Sequence, residues 1–173
     1  MDQAAVLPPV LAHERDACGV GLVADRRGRH SHRILRLALD AVAAMAHRGA
    51  ISADGKTGDG AGVLTQIPYA LLRRDLRLKT PNADLGLGML FLPQAADAAR
   101  EAWLLVARTL EACGVPVLGW RVVPVDPTAL GEHARRTMPE IAQVVVGRPR
   151  GHDDEAFERA LYRARRRIER AAG

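Results

Sequence analysis

The stretch that decides the fold is Arg15-Asp16-Ala17-Cys18-Gly19-Val20-Gly21-Leu22-Val23-Ala24-Asp25, RDACGVGLVAD. Cys18 to Ala24 is a short apolar run with two glycines, bounded by charge at Asp16 and Asp25. Such a run reads as a buried strand. Its first residue is one of only two cysteines, the other being Cys113. A cysteine at the head of a strand is commonly a small packed hydrophobe. A second reading is open. If the bond after Ala17 is cut, the new α-amino group, with a pKa of about 7.7 to 8, can act as base for the adjoining thiol. No neighbouring histidine is then needed, and after Cys18 none occurs until His30.

Moving outward, the preceding residues MDQAAVLPPVLAHERDA have neither a basic start nor an unbroken apolar core. They read as a leader that is neither secretory nor membrane-spanning. No later apolar run approaches the roughly 20 residues needed to cross a bilayer, which points to a soluble, cytoplasmic protein. Two cysteines make no disulfide framework or metal cluster, in keeping with a reducing compartment.

The 173 residues are 48% hydrophobic, enough for one core. Ser31 can cap a helix whose apolar positions Ile34, Leu35, Ala38, Leu39, Val42 and Met45 recur until Gly49. The following ISADGKTGDGAG is a loop, leading to a strand over 63–67. Further on the pattern predicts helices over 68–76, 95–113, 130–138 and 153–171, and strands over 85–92, 115–125 and 141–146. Mixed helices and strands with no internal domain boundary indicate a layered α/β or α+β domain.

Net charge is +5. The excess arginines gather in Arg26-Arg27-Gly28-Arg29-His30-Ser31-His32-Arg33 and in the last helix. Aromatic residues make up 3% of the chain and none is interleaved with these arginines, so no base-stacking platform for nucleic acid is expected. A solvated basic face is the expectation, and a non-catalytic basic α/β binding module is the alternative function. His30 and His32 form an HxH pair without the further ligands zinc requires. Gly55-Lys56-Thr57 resembles the end of a phosphate loop, but five residues separate it from Gly49 where four are needed, and it follows a helix. Zinc or nucleotide binding through His30, His32 or Lys56 is therefore disfavoured.

Several blocks occur in order: RDACGVGLVAD, MAHRGAISADGKTGDGAGVLTQIP (45–68), GMLFLP (88–93), GWRVVPVD (119–126) and FERALYRARRRIER (157–170). From about Ala12 onward the chain resembles the class II glutamine amidotransferases, which are N-terminal-nucleophile hydrolases. Within them it resembles the opening of glutamate synthase large subunits. The resemblance implies an α+β fold, as a partial, truncated four-layer αββα sandwich, with residues 1–17 a propeptide and 18–173 the N-terminal portion of the amidotransferase domain. It makes Cys18 the catalytic nucleophile toward glutamine, with Arg48, Gly49, Gly60 and Gly62 shaping the pocket and no metal in the site.

The same resemblance places the family's oxyanion Asn-Gly pair, and the arginine and aspartate that hold glutamine, beyond residue 173. Asn82, followed by Ala83, is the single asparagine here. Loss of one oxyanion donor costs about 2.7 to 4 kcal/mol, so the chain alone is expected to be inactive as a glutaminase. FMN and an iron–sulfur cluster are implied for other domains of the large subunit and none for this chain. Partners implied are glutamine and those domains, with a small reductase subunit also admitted. Nucleic acid and membrane are not expected.

Overall fold

The computed structural model describes residues 19–29, 31–45, 49, 51–58 and 60–173. The chain divides into two compact units, Met1–Thr65 and Gln66–Gly173.

In the first unit, α1 spans His32–Ala44. The Ser31 side chain accepts a hydrogen bond from the Arg33 backbone N–H, the cap its position predicts. Ile34, Leu35, Ala38, Val42 and Met45 form the less exposed stripe, while Leu39 stays exposed and no residue of the helix is buried. Past the helix, an isolated antiparallel bridge joins Ile51 to Gly58. Asp54 organises the turn inside it, accepting from the Lys56 and Thr57 N–H groups and from the Thr57 hydroxyl. Gly55 at φ +69° supplies the left-handed residue this tight reversal uses.

Two strand expectations fail in this part of the chain. Residues 19–24 and 63–67 carry no strand, and Val20, Leu22 and Leu64 are 95, 91 and 100% exposed. An apolar alternation becomes a strand only when a neighbour accepts its backbone hydrogen bonds. Among the described residues no strand pairs with either run. The predicted strand's first residue, Cys18, lies outside the described residues. So do residues 46–48, which precede the expected helix stop at Gly49; α1 itself is capped at Met45.

The second unit contains a three-stranded antiparallel sheet of order β1-β3-β2, with β1 at Leu85–Leu92, β2 at Val117–Val122 and β3 at Glu140–Gly147. β3 is central and reads as such: Ala142, Val144, Val145 and Val146 are buried on both faces. β2 is shorter than the predicted 115–125 because Pro116 and Pro124 bound it. Neither can donate to a ladder.

α3, Ala96–Ala112, and α5, Asp154–Ala172, pack on one face of the sheet. Val106 and Leu110 from α3 meet Val144 and Val146 from β3 and Ala164 from α5. α3 ends in a Schellman turn. Gly114 at φ +69° donates to Glu111 O and Val115 donates to Leu110 O, while Val115 packs against Leu110. Asp153 caps α5 by accepting from Ala156 N–H, and Asp154 and Glu155 place negative charge on its first turn. Gly86 is demanded by this packing: a Cβ there would sit 2.9 Å from Val146 Cγ2 and 3.1 Å from Leu161 Cδ2.

α2, Tyr69–Leu76, covers part of the opposite face, burying Leu72 against Leu85 and Val145. Full burial of such a side chain is worth roughly 1.5 to 3 kcal/mol. Arg121 of β2 fixes the helix laterally, its Nε 2.8 Å from Asp75 Oδ2. Hydrogen bonds from Arg121 and then Arg74 hold the Asp75 carboxyl below the usual carboxylate range. α4, Glu132–Thr137, is a single short helix whose Arg136 pairs with Glu132.

Arg148 joins the end of β3 to two other segments. Its Nε lies 2.8 Å from Asp84 Oδ1, and its Nη2 donates to Ala83 O at 2.7 Å and to Asp154 Oδ1 at 2.6 Å. The guanidinium carbon sits 5.2 Å from the centroid of the Phe157 ring, within cation–π range. The charge-assisted bonds to Asp154, above all, raise the Arg148 pKa further from neutrality.

Candidate functional site

The sequence-designated residues all fall in the first unit. Cys18 and Arg48 lie outside the described residues; Gly49, Gly60 and Gly62 lie within them and are exposed. Antiparallel pairing of Ile51 with Gly58 makes the chain enter and leave the Asp54 turn at the same end. Ile51 and Gly58 thereby stand opposite each other. Gly60 and Gly62 have positions where an added Cβ meets nothing within 4 Å. Their glycine character is therefore not demanded by local packing among the described residues.

Gly19, directly after Cys18, behaves differently. A Cβ on it would approach Met45 Sδ to 2.8 Å. The backbone next to Cys18 thus passes close against the residue that caps α1. Real Cβ atoms do not tolerate that distance, so a larger residue at position 19 would have to push the Met45 side chain aside.

The basic turn and the start of α1 line an open depression of about 630 Å³. Asp25 orders this turn, accepting from the Arg27 backbone N–H and from the Arg29 guanidinium. The arginines of the depression are exposed, the solvated arrangement expected of this stretch. His30 of the HxH pair is outside the described residues, and His32 is the first residue of α1. Among the described residues no group of three or more His, Cys, Asp or Glu side chains is placed to hold a metal ion. No helix of the described residues is long and apolar enough to cross a membrane.

Cys113, the second thiol, is half-buried at the end of α3, where its Sγ accepts from Arg167 Nη1 at 3.4 Å. It belongs to the packing between α3 and α5. Sequence reasoning did not single out Arg148, whose partners Asp84 and Asp154 lie far apart in the chain. Nothing in a local pattern signals such a contact.

The model of the class-II glutamine amidotransferases matches residues 18–173, and the chain belongs to that family. Among the relatives it resembles are glutamate synthases. The chain is 41% identical over 162 residues to the large chain of an NADPH glutamate synthase from Azospirillum brasilense, covering 91% of this chain and 11% of that one. It is 44% identical over 161 residues to ferredoxin-dependent glutamate synthase 2 of Synechocystis sp., covering 91% and 10%. With the chloroplastic ferredoxin-dependent enzyme of Oryza sativa subsp. japonica it shares 41% over 174 residues, covering 98% and 11%. The chain spans about a tenth of the length of these relatives.

Proposed function

We propose that this chain is the nucleophile-bearing part of a glutaminase domain and that Cys18 is its attacking residue. The observation that carries the reading is the start of the family match. It begins at Cys18 and leaves residues 1–17 outside, as it should if a 17-residue leader is removed to expose an N-terminal cysteine. The chemistry follows from that position. The free α-amino group takes the thiol proton, and the thiolate attacks the side-chain amide carbon of glutamine. The C–N bond breaks, ammonia leaves with the proton, and a glutamyl thioester remains. Water then attacks the thioester, releasing glutamate and regenerating the thiol.

In this reading Arg48, Gly49, Gly60 and Gly62 border the pocket. The layered αββα sandwich is proposed for the complete domain. The 173-residue chain supplies the nucleophile without an Asn-Gly oxyanion pair, so its own glutaminase rate is expected to be negligible. By likeness to the named glutamate synthases, the ammonia would serve glutamate formation from 2-oxoglutarate in a longer protein, in the reducing cytoplasm. FMN and an iron–sulfur cluster would act in that longer protein. Two cysteines cannot provide the four thiolates such a cluster takes, so the cluster is not assigned to this chain. Identities of 41 and 44% to NADPH and ferredoxin enzymes do not separate the two electron donors.

The test is the identity of the mature N-terminus. Intact mass and labelling with a nitrile that condenses only with 1,2-aminothiols should show a chain beginning at Cys18 and labelled once. A chain that keeps Met1 or Asp2 and takes up no label contradicts the proposal.

A further inference from the structure

We draw no further inference here: the strongest candidate, the apolar strip of Met89 and Phe91 on the part of the sheet face that α2 leaves bare, beside the outer edge of β1 that no described strand pairs, carries none because nothing in the structure shows what covers it.

Discussion

Residues 19–65 and residues 66–173 have similar apolar patterning but very different burial. Every buried hydrophobic residue among those described lies between Leu72 and Ala164. The first unit holds a capped 13-residue helix and a bridged turn but buries none of its described side chains. The second closes a three-stranded sheet between α3 and α5 on one side and α2 on the other. The proposed chemistry falls in the unit whose described residues are all at least partly exposed, and the self-supporting packing falls in the other. An isolated helix of about 12 to 15 residues is marginal in water, and most helical stability comes from packing of its apolar face. The helix α1 therefore depends on covering contacts that the 66–173 core does not need.

Both tryptophans belong to the second unit, with Trp103 and Trp120 ring centroids 4.4 Å apart. Their fluorescence during urea unfolding reports that unit alone. The largest effect is expected from Phe157→Ala. It removes a ring that is 4% exposed, at a cost of about 3 to 5 kcal/mol, and should shift the midpoint strongly or abolish folding. A midpoint close to the parent's would mean that the α5 packing is not the core of this unit.

A smaller loss is expected from Arg148→Ala, which breaks the tie between Asp84, Asp154 and the end of β3. Arg148→Lys should recover only part of it, because an ammonium cannot reproduce the planar fork that reaches several acceptors at once. Full recovery with lysine would reduce the contact to simple charge. The smallest effect belongs to the first unit. Leu37→Ala in α1, at a position 42% exposed, should move the tryptophan-monitored midpoint by no more than about 0.5 kcal/mol.

The second unit was largely legible in the sequence because its signals are local and its partners are present. The helices expected over 68–76, 95–113 and 153–171 lie within a residue of Tyr69–Leu76, Ala96–Ala112 and Asp154–Ala172. The strand expected over 141–146 is β3, Glu140–Gly147, and it proves central. The runs at 19–24 and 63–67 carry the same kind of signal, yet form no strand, because a strand is a property of a pair and periodicity describes one member. Arg148 was invisible for a related reason: its acceptors at Ala83 and Asp84 come from a segment more than sixty residues away in the chain. At the site, glycine-rich composition marked the loop around Asp54 correctly. Composition could not say which of its glycines shape a pocket, since Gly60 and Gly62 have open space where side chains would go.

Native-state hydrogen exchange, read amide by amide, tests the contrast between the two regions most directly. The account predicts that amides of β3, Glu140–Gly147, exchange among the slowest in the chain. Those of α1, His32–Ala44, should exchange many orders of magnitude faster, close to the rate of an unsupported helix. Protection of α1 equal to that of β3 would contradict it, because the first unit would then possess a core of its own.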